Sequence, residues 1–308
     1  MKIIDLKHPN EPFPLVECGL VLGNFDGVHR GHQALITELQ KLQKETGEVL
    51  PLGALCFSEP PSCHFGRPVP QLTTNEEKFA LFKRAGLRFV ILYDFPEIAD
   101  LSPEDFVIKI LIGECHCRLA VCGYNYTFGK GAKGTAEDLA NWLGTQPRRS
   151  VSVLPPVTDG RHTVSSTLVR DMLLRGHPED AARLMGHPFT LTGRVTSGKH
   201  IGRTLGFPTA NLTFPSEKLV PAHGVYAVSV RAGNHTYYGI ANVGNRPSFD
   251  DGDHVTCEAF LFEFKGNLYD RELTVSFLRF LREEKQFPSP VALRDQIHRD
   301  IKAAMDYF

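Results

Sequence analysis

The residues of this chain whose types and spacing most directly suggest chemistry are two histidines, His29 and His32. Imidazole N–H groups donate hydrogen bonds to phosphate oxygens, and neighbouring glycines let a nucleotide approach the backbone closely. This combination suits attack on an α-phosphate with loss of pyrophosphate, where catalysis consists mainly of positioning and charge stabilisation. The full run reads Leu22-Gly23-Asn24-Phe25-Asp26-Gly27-Val28-His29-Arg30-Gly31-His32.

This histidine turn lies between a predicted strand and a predicted helix. Residues 16–22 are largely apolar, and after the turn apolar residues recur at helical spacing until Gly47. The turn therefore falls where a helix begins, and the free backbone N–H groups and positive dipole end of a helix start attract anions. A surface turn with incidental histidines is the alternative, because a lone His-x-Gly-His pattern recurs by chance. The strand–turn–helix context favours the phosphate site.

A second glycine-rich segment, residues 123–134, follows a predicted strand at residues 119–122. In a parallel sheet covered by helices, ligands bind beyond the carboxyl ends of the strands, where the histidine turn is also expected. Asn125 carries both a donor and an acceptor with which to bind a base or a ribose. The segment therefore predicts a nucleotide- or flavin-binding loop, with a flexible loop as the alternative.

A run of hydroxyl side chains opens the last predicted helix of this half of the chain. Ser165, Ser166 and Thr167 are followed about one turn later by Arg170. Hydroxyl and N–H groups at a helix start, with a guanidinium nearby, suit the oxygens of a triphosphate. A serine cap on a helix with a surface arginine is the alternative, and the residues alone leave both interpretations open.

Further along, residues 198–211 combine glycines with basic side chains. Such a loop can fold over phosphates, with its backbone N–H groups as donors. Thr209 and Asn211 stand two apart on an extended segment and offer hard oxygens suited to Mg²⁺. A glycine-rich hairpin is the alternative, but the length of the pattern favours function. The phosphate-binding candidates of this run are Gly198, Gly202, Arg203, Gly206 and Pro208.

The composition limits the classes of function. The 308 residues suffice for two domains with cores of their own, and the net charge of −1 argues against a nucleic-acid-binding protein. The N-terminus lacks the apolar core of a signal peptide, and no stretch is long enough to span a bilayer. Seven cysteines in a chain of this size indicate reduced thiols. We expect a cytoplasmic protein with small-molecule partners, no nucleic acid and no membrane, and with self-association left open.

The first of two predicted domains, residues 1–185, alternates apolar strands with helices. The helices have recognisable starts at Thr74, Ser102 and Thr135, where a hydroxyl side chain can cap the first turn. Strands that are apolar along their whole length and alternate with helices are typical of a parallel sheet with helices on both faces. This half is therefore predicted to be α/β.

The second predicted domain, residues 186–308, has a different pattern. Apolar residues alternate with period two, and Gly233-Asn234 and Gly266-Asn267 predict hairpin turns. Several short antiparallel strands of this kind predict a small barrel. A helix capped by Ser289 is expected to end the chain.

The long pattern around His29 and His32 resembles the bacterial bifunctional riboflavin kinase / FAD synthetase (FMN adenylyltransferase) family. The run Gly-x-x-x-Gly-Arg-x-x-Gly-Phe-Pro-Thr-x-Asn that ends at Asn211 resembles the flavokinase signature. The resemblance extends over nearly the whole chain. It implies a doubly wound, Rossmann-like nucleotidyltransferase domain, followed by an antiparallel β-barrel flavokinase domain with a C-terminal helix.

The resemblance also implies roles in adenylyl transfer from ATP to FMN, which gives FAD. His29 and His32 would stabilise the transferring phosphates, and Asn125 would belong to the nucleotide site. The residues that would contact phosphate are Ser165, Ser166, Thr167 and Arg170.

For the phosphorylation of riboflavin to FMN, the resemblance implies that Thr209 and Asn211 bind Mg²⁺–ATP. It further implies that Glu258 is the general base for the ribityl hydroxyl, a role that a carboxylate within hydrogen-bond reach can perform. From the strand pattern alone, Glu258 is an ordinary exposed residue.

The chain departs from the family pattern in its first half. The family usually shows Phe-x-Pro-His-Pro after the second strand, whereas this chain has Phe57-Ser58-Glu59-Pro60-Pro61, with His64 at a different spacing. Thr127 stands where many members carry arginine. Two alternatives therefore stay open: an enzyme with one active half, the kinase being favoured, and a non-catalytic flavin or nucleotide sensor.

Overall fold

A computed structural model of the chain describes residues 1–5, 16–160, 162–196, 207–245 and 255–308. The contacts divide the chain into two compact units. The first unit comprises Met1–Val69 and Thr73–Val164, and the second comprises Pro70–Leu72 and Ser165–Phe308. The helices just before residue 185 therefore group with the second unit, and a domain boundary at 185 stays a prediction.

The first unit alternates strands and helices along the chain. Besides a π-helical segment at Phe106–Glu114 and 3₁₀ segments at Asp26–Val28 and Lys130–Ala132, its described elements are β1 (Lys2–Asp5), β2 (Cys18–Leu22), α1 (Arg30–Glu45), β3 (Leu52–Phe57), α2 (Pro61–His64), α3 (Asn75–Arg84), β4 (Phe89–Tyr93), α4 (Phe95–Ile98), α5 (Pro103–Asp105), β5 (Cys117–Gly123), β6 (Thr127–Phe128), β7 (Gly134–Thr135), α6 (Ala136–Gly144), β8 (Ser150–Leu154), β9 (Thr158–Asp159) and β10 (His162–Thr163).

The main sheet of this unit is parallel, with the strand order β1-β4-β3-β2-β5-β8. The chain winds from β2 through β3 to β4 on one side, and from β5 to β8 on the other. The point where the winding direction reverses therefore lies between β2 and β5, and crevices at such points bind ligands in open α/β sheets. The predicted doubly wound parallel sheet is confirmed.

Both faces of the parallel sheet are buried. On one face Leu35, Ile36 and Leu39 of α1 pack with Phe82 of α3 against the strands. On the other face the π-helical segment and α6 cover the sheet. Burial on two faces explains why the strands read as apolar along their whole length.

The predicted helix caps are confirmed, but β1 and the π-helical segment were not predicted. Thr74 and Thr135 each form a capping box, with Glu77 and Asp138 respectively. Ser102 accepts a hydrogen bond from the backbone N–H of Asp105, yet the helix that follows continues with π-helical rather than α-helical bonding. Periodicity over a short apolar run does not distinguish these two types of helix.

The second unit consists of two helices, an antiparallel sheet and a closing helix. Its described elements are α7 (Ser166–Leu174), α8 (Pro178–Met185), β11 (Phe189–Arg194), β12 (Thr209–Thr213), β13 (Gly224–Ala232), β14 (His235–Asn245), β15 (Val255–Leu261), β16 (Glu272–Arg282) and α9 (Pro290–Met305). Ser289 caps α9 by accepting the N–H of Ala292, as predicted.

The antiparallel sheet has the strand order β11-β16-β13-β14-β15-β12 and curls into a partly closed barrel. Its two edge strands approach each other where the backbone N–H of Thr196 donates to the carbonyl of Asn211 at 2.9 Å. The hairpin predicted at Gly233-Asn234 joins β13 to β14. The hairpin predicted at Gly266-Asn267 is wrong, because β16 pairs with β11 and β13 rather than with β15.

Candidate functional site

The histidine turn leaves β2 at the carboxyl end of the sheet and contains strained backbone. Phe25 has φ 56° and Val28 has φ 39°, and Gly27 between them has φ 78°. Positive φ is costly for a β-branched residue such as Val28, and such strain persists only where surrounding structure enforces it. Strained backbone of this kind is concentrated at functional sites.

Two contacts hold the turn against the chain around α3. The backbone N–H of Thr73 donates to Oδ1 of Asp26 at 3.2 Å, and the N–H of Gly27 donates to Oγ1 of Thr73 at 3.1 Å. The ring of Phe25 is fully buried and packs edge-on against Phe82, with centroids 5.3 Å apart. Two of the candidate residues, Phe25 and Asp26, are thus buried within the turn, while Gly23 and Asn24 are half-buried, and binding by these four residues stays a prediction.

The two imidazoles stack on each other at the start of α1. Their centroids are 3.6 Å apart and their planes differ by 17°. Nδ1 of His29 accepts the backbone N–H of His32 at 3.4 Å, so in neutral His29 the proton lies on Nε2 and is available for donation. Gly31 makes this arrangement possible, because a Cβ there would lie 3.0 Å from Cε1 of His29.

Burial keeps both rings neutral. Loss of solvent around His29 lowers its pKa to about 4. Burial also lowers the pKa of His32, and electrostatic repulsion from the neighbouring His29 and Lys78 would further disfavour its protonation. A neutral imidazole donates one hydrogen bond and carries no charge, so each ring can orient a phosphate without neutralising it.

The predicted nucleotide loop follows β5, the strand next to β2 across the switch point. Asn125 is exposed there, and a Cβ on Gly123 would lie 3.2 Å from its Oδ1. Both segments therefore leave the sheet at the ends of adjacent parallel strands, as the sequence predicts. The position leaves the amide of Asn125 accessible to a ligand.

The hydroxyl run at α7 belongs by its contacts to the second unit. Oγ of Ser165 accepts the N–H of Leu168 at 3.2 Å, so this serine caps the helix. Nε of Arg170 donates to the carbonyl of Pro70 at 2.9 Å. Thr167 is exposed and Ser166 half-buried. The capping role that was the alternative interpretation is present for Ser165, and phosphate binding by this run stays a prediction.

The segment after β3 does not place a histidine where the family pattern has one. Ser58 is hydrogen-bonded to Asp94, and Glu59 is exposed. His64 at the end of α2 packs against Phe95, with ring centroids 5.4 Å apart. Thr127 is exposed on the short strand β6. The residues that depart from the family pattern therefore lie in segments with regular local structure and side-chain contacts.

In the second unit, residues distant in sequence meet across adjacent strands. Asn211 on β12 lies directly opposite Glu258 on β15, and Glu258 in turn lies opposite Asn242 on β14. Thr209 shares the face of Asn211 because side chains two apart on a strand point the same way. Asn211 is 5% exposed, while Thr209 and Glu258 are half-buried. Hydroxyl, amide and carboxylate oxygens therefore lie on one patch of the barrel.

A pocket of about 490 Å³ adjoins this patch. Pro208 and Thr209 form part of its wall, and the loop before β16 supplies Phe264, Asn267 and Tyr269. Its volume is within the range usual for small-molecule sites. Of the predicted phosphate-binding residues, Gly198, Gly202, Arg203 and Gly206 lie outside the described residues.

The sequence did not single out Asn242 or Glu284, which extend the patch of Asn211 and Glu258 into a polar row across the sheet. Nδ2 of Asn242 donates to Oε1 of Glu284 at 3.0 Å. A polar side chain at Asn242 on a barrel strand was a weak signal by itself, and its relation to the site follows only from the register that places Asn242 opposite Glu258.

Other classes of site are not supported in the described ranges. No group of three or more histidine, cysteine or acidic side chains there is arranged to hold a metal ion. None of the helices in these ranges combines the length and the apolar character that crossing a membrane requires.

Comparison with known proteins gives concordant results for both halves of the chain. A family model described as FAD synthetase matches residues 14–168, and one described as riboflavin kinase matches residues 185–308. Curated relatives named bifunctional riboflavin kinase/FMN adenylyltransferase are 32% identical in Listeria monocytogenes and 33% identical in Escherichia coli. Each alignment covers 100% of this chain and 98% of the relative.

A solved structure from Streptococcus pneumoniae has the same fold over its whole length. It superimposes with a TM-score of 0.89 at 31% identity, covering 99% of both chains. It is named a macrolide-efflux protein, and this name differs from the activity named for the curated relatives.

Proposed function

Because the chain belongs to the family of bifunctional riboflavin kinases and FMN adenylyltransferases, we propose that each reaction has its own site in this protein. The enzyme phosphorylates riboflavin with ATP to give FMN, and adenylylates FMN with a second ATP to give FAD and pyrophosphate. The adenylyltransferase site is assigned to His29 and His32, and the kinase site to Thr209, Asn211 and Glu258. The register that sets Asn211 opposite Glu258 is the observation that carries the kinase assignment.

In adenylyl transfer, a phosphate oxygen of FMN attacks the α-phosphorus of ATP, and the bond to the β,γ-pyrophosphate breaks. The Nε2–H of His29 is free to donate to these phosphates, since Nδ1 is occupied by the start of α1. The unpaired backbone N–H groups at this helix start add further donors. Asn125 would bind the base or ribose, and Ser165, Ser166, Thr167 and Arg170 would contact phosphate.

In the kinase reaction, the ribityl hydroxyl of riboflavin attacks the γ-phosphorus of ATP, and ADP leaves. Glu258 would accept the hydroxyl proton, which its carboxylate can do from a half-buried position facing the patch. The pocket beside Pro208 and Thr209 would take the ATP. Gly198, Gly202, Arg203 and Gly206 would complete the phosphate site.

The donor set of the patch fits Mg²⁺. The hydroxyl of Thr209, the amide oxygen of Asn211 and the carboxylate of Glu258 are hard oxygen ligands of the kind that Mg²⁺ prefers. When bound, the ion would neutralise charge on the phosphates of ATP. Thr209 and Asn211 would hold it, while Glu258 stays available to orient the ribityl hydroxyl.

We place the enzyme in the cytoplasm with small molecules as its partners. All seven cysteines are free, and six of them are buried. Reduced thiols are typical of the cytosol.

The Mg²⁺ assignment predicts the behaviour of Thr209→Val and Asn211→Leu. Each should lower FMN formation by about 10²-fold and raise the Mg²⁺ concentration that gives half-maximal rate, because one oxygen ligand is lost. Thr213→Val, an exposed residue two positions further on the same face of β12, is the matched control. FAD formation from added FMN reports that the first unit is intact. An unchanged Mg²⁺ requirement in both variants would refute the assignment.

A further inference from the structure

Lys78 on α3 is a buried lysine without a counterion in the described residues. Lys78 is 4% exposed, and its ammonium donates a hydrogen bond to Oδ1 of Asn75 at 3.3 Å. No carboxylate of the described chain lies within ion-pair distance of it. An ammonium carries three donors, so two of them lack a described partner here. Burial of a charge in this way costs free energy unless something pairs with it.

The lysine lies beside the histidine turn. Its positive charge is one of the causes, after burial and the electrostatic interaction with His29, that lower the pKa of His32. It also opposes the rise that burial gives to the pKa of the Cys56 thiol on β3. The helix that carries Lys78 is fixed to the turn, because Phe82 on the same helix packs against Phe25.

A second buried polar group beside the turn also lacks a partner. Nδ1 of His32 is shielded from solvent and makes no hydrogen bond within the described chain. Native proteins rarely leave buried polar atoms unsatisfied, and those that remain often mark the place of a ligand. An anion with several acceptor oxygens would satisfy an ammonium and an imidazole together.

Charge balance supports the same conclusion. Adenylyl transfer brings the negative charges of ATP and FMN together, and sites that catalyse phosphoryl chemistry supply positive charge to them. Burial lowers the pKa of both imidazoles and so disfavours their charged forms, which makes them a poor source of that charge. The ammonium of Lys78 is a buried cation that acts electrostatically on His32.

We propose that Lys78 is a catalytic residue of the adenylyltransferase site, where its ammonium binds a phosphate oxygen of the bound substrates. This inference rests on the proposed location of that site at the histidine turn. The phosphate belongs either to the triphosphate of ATP or to FMN. Both sources present the same oxygen chemistry, and kinetics can distinguish them.

The test replaces Lys78 with methionine in the full-length protein, since methionine keeps the unbranched apolar stem but removes the charge. FAD formation from FMN should fall by about 10²-fold or more, as when one preorganised donor is removed from an active site. Lys78→Arg, which keeps the charge, should recover part of the loss. Lys83→Met, an exposed lysine on the same helix, should leave the rate unchanged and is the matched control.

Two further measurements separate substrate binding from structural support. The thermal midpoint of Lys78→Met should equal or exceed that of the wild type, because an unpaired buried charge has been removed. A rise in KM for ATP, together with lost stabilisation by inorganic pyrophosphate, would assign the contact to the triphosphate. A rise in KM for FMN alone would assign it to FMN.

The inference is overturned if Lys78→Met forms FAD within about twofold of the wild-type rate. It is also overturned if the variant loses FMN and FAD formation together with a lower thermal midpoint, because that pattern indicates a structural lysine. Failure of the site assignment itself gives a different result. In that case the variant His29→Ala/His32→Ala would retain FAD formation, whether or not Lys78→Met loses it.

Discussion

At the start of α1, His29 lies in surroundings that disfavour its protonation. The folded state holds its pKa at about 4, whereas an unfolded chain leaves a histidine near its ordinary value of 6.5. Between these values the unfolded state binds more protons than the folded state, so acid favours unfolding. The contribution of neutral His29 to the free energy of unfolding is fully present above about pH 6.5 and is lost as the pH falls toward 4.

This difference predicts how the stability of the first unit depends on pH. Unfolding followed by fluorescence of Trp142, the single tryptophan of the chain, should show a free energy that falls as pH drops through this window. His29→Asn keeps a good helix cap and should remove about 3 kcal/mol of that dependence, the equivalent of the pKa difference. His162→Asn, at an exposed position of the same unit, should change little. A pH profile that His29→Asn leaves unaltered would contradict the prediction.

Residue types and spacing were enough to identify the histidine pair and the Thr209/Asn211 pair as sites of chemistry. They did not reveal Lys78, because a lysine on an amphipathic helix usually lies at the surface and only tertiary packing buries this one. They also did not reveal Asn242. Its relation to Glu258 depends on strand register, which no single segment of sequence contains.

At the scale of elements, the kinase patch depends on the pairing of β14 with β15. Gly239 on β14 allows this pairing at close range, because a Cβ there would lie 2.1 Å from the carbonyl oxygen of Phe260 on β15. The neighbouring strand residues include Asn242 and Glu258. Any displacement of the backbone at Gly239 is therefore expected to shift Asn242 and Glu258 relative to each other.

Substitution Gly239→Ala should destabilise the second unit by about 2–3 kcal/mol and lower FMN formation, since the new methyl group meets backbone that cannot rotate away. The control is Gly233→Ala in the hairpin before β14, where φ is +60° but no atom lies within 4 Å. There we expect a cost of about 1 kcal/mol with normal kinetics. Chemical denaturation together with the FMN assay measures both. Equal effects of the two substitutions would show that the close approach is unimportant.

Elements with strong local signals were predictable, and those set by distant partners were not. The capped helices at Thr74, Thr135 and Ser289 form as expected, because a cap and an apolar face act within a few residues. The segment around Gly266 carries turn residues but no hairpin, since β16 finds its partners elsewhere in the sheet. Turn residues indicate where the chain bends, and they do not determine which strands pair.

At the scale of the whole molecule, the chain combines two kinds of phosphate chemistry in two units of different architecture. The change of pattern near residue 186 predicted a second domain of different architecture, and the family models match residues 14–168 and 185–308, while the boundary itself stays a prediction. The contacts assign α7 and α8 to the second unit, which apolar periodicity alone did not indicate. The missing Pro-His-Pro pattern leaves the parallel sheet and its switch point intact.

The central claim is that two separate sites carry the two reactions, and one product analysis tests it most directly. Full-length wild type, His29→Ala/His32→Ala and Glu258→Gln are each given Mg²⁺–ATP with riboflavin or with FMN, and the flavins are then separated and quantified. We predict that the double histidine variant turns riboflavin into FMN but makes no FAD. Glu258→Gln should leave riboflavin unreacted yet convert added FMN to FAD. Loss of both activities in either variant would contradict the account.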